Sequence, residues 1–251
     1  MHDLMAEMEI EEATTSHWGF WGTLVWGIVV MGVFAVLQLV AFSAIIGMTH
    51  GEVSATQAQA LFEDLKDSGF VLAVCTIVTT LGCGGLLLVV IKLKRGAILR
   101  EYLGLTPLPI SEWSSWMVAA FVLAGLLDCL TIVLGRPLIP EFMSLAYASA
   151  DPVWLLWVAL VLAAPLFEEL FFRGFLLAGF RASFLGPIGA VVLTSASWAA
   201  IHLQYDAYDM STIFVMGCVL GAARLQTGSV LLPIGMHVLH NLIATTEAAI
   251  L

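Results

Sequence analysis

Three short runs in the back half of the chain combine acids, bases and an amide at helical spacings. FEELFFRGF carries Glu168, Glu169 and Arg173, SWAAIHL carries Trp198 and His202, and GMHVLHN carries His237, His240 and Asn241. All three runs lie in strongly apolar surroundings. An ionisable group at bilayer depth costs about 2.5 to 3.5 kcal/mol on insertion scales, so such groups face a protein interior and mark function. Their types suit the hydrolysis of an amide. Glu168 can accept a proton from water, and His202 can hold that water in line. His237 and Asn241 can donate hydrogen bonds to the oxyanion that develops on the attacked carbonyl. A zinc site is the competing chemistry, because Glu168, His202 and His237 are also a hydrolytic ligand set. It rests on three separated residues, since no HExxH run is present.

Helix geometry separates the roles. Glu169 and Arg173 are four apart with the acid first, the better orientation for an ion pair along one face. Glu168 is rotated by about 100° and is left without that partner. Arg173 clamping both carboxylates as a structural cluster is the alternative. His237 and Asn241 share a face, whereas His240 points elsewhere and reads as a structural hydrogen-bond former. At 1.5 Å per residue, Glu168, His202, His237 and Asn241 come out about 14 to 22 Å above one membrane side. In a core of about 30 Å that is one layer, about 10 Å below the opposite surface.

The elements that must position this layer follow from composition. Of 251 residues, 61% are hydrophobic and 11% charged, with a mean hydropathy of +1.00. A soluble domain carries roughly a quarter charged residues. Nine basic residues at a net charge of -10 cannot form a face that follows a phosphate backbone, which excludes nucleic-acid binding as a main function. No series of alternating ten-residue segments suggests an outer-membrane barrel. The expected fold is all-α, a polytopic transmembrane helix bundle of about seven spans, near 19–46, 69–91, 113–135, 153–180, 187–206, 211–226 and 228–246. The segment 55–66 reads as a helix on the membrane surface or a solvated loop. The expected organisation is an acidic N-terminal tail over 1–18, three accessory spans over 19–150, and a four-helix catalytic core over 151–251. The first run is too long for a signal h-region and lacks a cationic flank, so the first span is expected to remain in the mature protein. Cys75, Cys83, Cys129 and Cys218 lie in apolar stretches without a CxxC pair, which gives neither a disulfide framework nor a thiolate metal cage.

With seven crossings, Lys92, Lys94, Arg95, Arg100, Arg181 and Arg224 fall on one side, and only Lys66 and Arg136 on the other. The basic side is expected to be cytoplasmic, with the N-terminus there too. Gly217 and Gly221 form a GxxxG, which packs helices within a chain or between two and leaves the oligomeric state open.

EExxxR at Glu168, Glu169 and Arg173, an aromatic-xxx-His at Trp198 and His202, and HxxxN at His237 and Asn241 together resemble the three motifs of the CPBP family. That family contains type II CAAX prenyl endopeptidases and related bacterial intramembrane proteases. The resemblance covers about residues 150 to 248. It implies an endopeptidase acting on a membrane-associated protein or peptide, with the first-motif glutamate as base and the histidines and asparagine serving water and oxyanion. It leaves metal dependence open, zinc being possible. Trp198 stands where phenylalanine is more usual. A non-proteolytic membrane scaffold or bacteriocin immunity protein of the same fold is the alternative, and a proton-coupled transporter a third. The missing internal repeat weighs against the transporter. A bacterial plasma membrane is the expected location.

Overall fold

The computed structural model describes residues 15–250. The acidic side chains of the expected tail, Asp3 to Glu12, lie outside the described residues. Within them every regular element is helical, and the order is α1 (Phe20–His50), α2 (Ala55–Leu65), α3 (Gly69–Leu93), α4 (Leu99–Leu103), α5 (Ile110–Val133), α6 (Glu141–Ala148), α7 (Val153–Arg181), α8 (Gly186–Ala200), α9 (Ala207–Thr227) and α10 (Leu231–Ile250). The chain is an all-α membrane bundle. Helices α1, α3, α5, α7 and α9 are each long and apolar enough to cross a membrane, and α8 is apolar but shorter.

Local chemistry sets several of the ends. At α2, the Ser54 hydroxyl accepts from the Gln57 N–H while Gln57 Oε1 accepts from the Ser54 N–H. This capping box satisfies two N–H groups that a helix start otherwise leaves open, so 55–65 is helical, and it has no buried residue. The fifth span, expected to reach 206, stops at Ala200. Asp206, at the far end of that stretch, starts the next helix instead: its carboxylate accepts from the N–H groups of Tyr208 and Asp209. As the cap of α9 it has extended backbone, ψ 175°, and cannot also continue α8. The last hairpin is shifted as well: α9 runs to Thr227 and ends on Gly228 at φ 68°, the left-handed conformation that glycine adopts without a Cβ penalty. Two short helices, α4 and α6, occupy stretches expected to be loops.

Helix α7 is the hub. In its most apolar window 44% of residues are buried, against 17% for α1 and α5, whose outer faces display Val25, Ile28, Phe121 and Leu126. Phe167, Phe171 and Phe175 repeat every four residues and form one ridge of α7. They stack on each other at 5.7 and 6.4 Å, and the ridge ends on Phe34 of α1 and Tyr102 of α4. Packing that face outward against the front helices turns Glu169 and Arg173 toward α8, α9 and α10. Close approach of α9 to α8 depends on the GxxxG. A Cβ at Gly221 would stand 2.8 Å from Val191 Cγ1, and one at Gly217 would stand 2.9 Å from Ser195 Cβ. The motif packs two helices of this chain.

Candidate active site

The helix that carries the acids is not uniformly α. It is wound as π-helix over Val158–Ala163 and again over Leu170–Leu176, either side of the α-helical Ala164–Glu169. In the first π segment the Ala164 N–H bonds to Ala159 O, so it is not available to Leu160 O. The next residue, Pro165, has no N–H. The Leu160 carbonyl is therefore orphaned by the helix, and Asn241 Nδ2 of α10 donates to it at 2.8 Å. Thr80 Oγ1 of α3 donates to Ala163 O at 3.1 Å. In the second segment the Leu177 N–H bonds to Phe172 O and Arg224 Nε donates to Arg173 O at 3.2 Å. At Leu160 a side chain from a neighbouring helix thus fills a bond that π winding leaves open, and the two acids sit on the α turn between the two π segments.

Glu169 is fully buried, and its Oε1 accepts from Arg173 Nη1 at 2.8 Å and meets His237 Nδ1 at 2.9 Å. Arg173, also fully buried, donates from Nη2 to Gly217 O at 3.2 Å and stacks over the Trp198 ring with its guanidinium carbon 4.4 Å from the centroid. Among the described residues, Arg173 makes no salt bridge to Glu168. The geometry is therefore not that of a clamp on both carboxylates. Glu168 instead accepts the indole N–H of Trp198 at Oε2, 2.6 Å. His202, two residues beyond α8, donates from Nδ1 to Trp198 O at 2.8 Å, since a carbonyl can only accept. In the neutral ring this leaves Nε2 as an acceptor.

The structure brings Glu168, Arg173, His202 and His237 around one indole, whose ring meets His202 and His237 edge-on at 5.5 and 5.1 Å, and Glu169 joins through Arg173 and His237. Asn241 stands one helical turn beyond His237, tied to α7. His240 faces away, lining a small void of about 10 Å³ between α5, α9 and α10. Among the described residues, no group of three or more His, Cys, Asp and Glu side chains is arranged to hold a metal ion, so Glu168, His202 and His237 as they stand do not fit the zinc set. Glu169 Oε2, Arg173 Nε and Ser195 Oγ are buried with no hydrogen-bond partner among the described residues, which makes the cluster a strongly desolvated one.

Above His202 the chain passes Tyr205, whose ring stacks on the imidazole at 6.1 Å and meets Phe142 edge-on at 6.0 Å. Tyr205 and Phe142 line a cleft of about 710 Å³ that opens between the α5–α6 and α8–α9 connections. An ion pair between Arg136 and Asp206 ties those connections together. The Asp209 N–H and the Arg136 guanidinium hold the Asp206 carboxyl below the usual carboxylate range. Neither Tyr205 nor the two polar groups of Trp198 carried a signal in the sequence that named a partner. The only hint was that an indole N–H in an apolar span needs an acceptor.

Residues 150–243 match the family described as type II CAAX prenyl endopeptidase Rce1-like. That segment, somewhat over a third of the chain, is similar to the family. All three motifs, with Glu168, Glu169, Arg173, Trp198, His202, His237 and Asn241, fall inside the Rce1-like segment, which agrees with the resemblance to the CPBP family. The chain is also similar to an uncharacterized 24.3 kDa protein of Escherichia coli, 32% identical over 128 residues, which are 49% of this chain and 58% of that protein. The match thus spans little more than half of the relative's length. No solved structure matches the chain.

Proposed function

We propose that this protein is an intramembrane endopeptidase of the CAAX type, cutting a peptide bond of a membrane-associated protein or peptide with water activated by Glu168. One observation carries the reading: Trp198 takes up Oε2 of Glu168 and Nδ1 of His202, which leaves Glu168 Oε1 and His202 Nε2 as two acceptors able to grip one water. Water held between them attacks the carbonyl carbon as Glu168 removes its proton. The carbonyl oxygen becomes an oxyanion, and Glu168 then passes the proton to the amide nitrogen as the C–N bond breaks. A carboxylic acid and an amine leave, and Glu168 is again a carboxylate.

His237 and Asn241 are the oxyanion donors. Glu169 fixes His237 at Nδ1, which leaves Nε2 as the ring nitrogen to face the oxyanion. Asn241 gives one amide hydrogen to Leu160 O and keeps the second. Both donors act where water is mostly excluded and their bonds are strong. Glu169 and Arg173 hold the frame and take no proton in this scheme, and no step runs through a metal. The helices over 151–251 are the catalytic core, and those over 19–150 are accessory.

The bilayer is the working environment, and similarity to an Escherichia coli protein favours a bacterial plasma membrane. The test is purified protein in proteoliposomes with a membrane-inserted peptide. Wild type yields two fragments and Glu168→Ala yields none. Binding without cleavage by the wild type would overturn the reading in favour of a scaffold.

A further inference from the structure

Trp198 is 1% exposed, and four groups fix its ring in place. Arg173 lies over its face, His202 and His237 stand at its edge, and Glu168 accepts its N–H. An indole N–H can only donate and a carbonyl can only accept, so the two polar groups of this one residue point at the two members of the water-gripping pair. Glu168 has no other hydrogen-bond partner among the described residues, and it is half-buried with three rotatable bonds. His202 lies beyond the end of α8, and among the described residues the Trp198 carbonyl is the one hydrogen-bond partner of its imidazole.

We propose that Trp198 is a positioning residue that holds the general base and the water-orienting imidazole in register, its N–H fixing the rotamer of Glu168 and its carbonyl fixing the tautomer of His202. This rests on the peptidase reading above. The contribution is to turnover, because a bond that places the base matters when the proton moves, whereas the substrate does not touch the indole nitrogen. A hydrogen bond to a charged group, or a misplacement of about 1 Å, changes a rate by roughly 10- to 100-fold.

Two replacements remove the N–H and keep the packing: Trp198→Phe, which retains a ring under Arg173, and benzothienylalanine at 198, in which sulfur replaces the N–H in a bicycle of the same shape. In proteoliposomes, both are expected to lower kcat by about 10- to 100-fold with KM within about twofold. Wild-type kcat in the folded benzothienylalanine protein would overturn the proposal. A second readout is independent of turnover: the Trp198 indole N–H resonance, labelled with nitrogen-15, should lie far downfield and move upfield in Glu168→Ala. A resonance unmoved by Glu168→Ala overturns the proposal even if both replacements fail to fold. Failure of the peptidase reading looks different. The wild type would then bind the peptide without cutting it, whatever the indole resonance does.

Discussion

Two adjacent glutamates with one arginine could serve the same purpose twice, but their surroundings divide them. Glu169 is buried, paired with Arg173 and in hydrogen-bond contact with His237, while Glu168 meets only a neutral donor. Glu168→Gln should therefore fold normally and lose about 10²- to 10⁴-fold in turnover. Glu169→Ala leaves a buried guanidinium unpaired, which costs about 3 to 5 kcal/mol. Its melting temperature in detergent should fall well below that of Glu168→Gln, and the opposite order of melting temperatures would contradict the assignment. The Glu169–Arg173 pair was legible in the sequence because both partners sit on one helix four residues apart. The bond from Trp198 to Glu168 was not, because it depends on how α8 is rotated about its axis against α7, which local spacing does not specify.

At the scale of the helix, Asn241 does more than serve an oxyanion. It replaces the hydrogen bond that π winding and Pro165 together deny to Leu160 O. Asn241→Ala should thus lower turnover by roughly 10²- to 10³-fold and also destabilise the protein by about 1 to 3 kcal/mol, the cost of a buried carbonyl without a donor. Pro165→Ala returns an N–H to that turn, so Asn241→Ala should be less destabilising in the Pro165→Ala background than alone. Additive melting-temperature changes in this double-mutant cycle would contradict the account. The sequence announced HxxxN as a shared face of α10 but could not announce its partner. Nothing in VALVLAAP distinguishes π from α winding, which follows from packing. The far end of the stretch 187–206 is a different case, since Asp206 belongs to the start of α9 as its cap, a role that an Asp before an apolar run does signal in sequence.

For the molecule as a whole, the apolar runs and their order were legible, because the length of a span is set by bilayer thickness and little else. The hub position of α7 was not, since the Phe167–Phe171–Phe175 ridge reads as one more lipid-facing stripe until α1 and α4 cover it. The basic loop containing Lys92, Lys94, Arg95 and Arg100 predicts the orientation, and buried Arg224 belongs to the packing as much as to the loop charge. In a cysteine-free background, Ala148→Cys, exposed at the end of α6, should react with an impermeant maleimide on intact cells. Ala182→Cys, exposed beyond α7, should be protected. The reverse pattern would turn the cleft above His202 toward the cytosol and make a cytosolic substrate the better fit. The central claim is that water, activated by Glu168, cuts a peptide bond within this bundle. It is tested most directly by cleaving a membrane-inserted peptide in oxygen-18 water and weighing the fragments. The account predicts one heavy oxygen in the new carboxyl terminus with wild-type protein and no fragment with Glu168→Gln. Fragments without the heavy oxygen, or undiminished cleavage by Glu168→Gln, would contradict it.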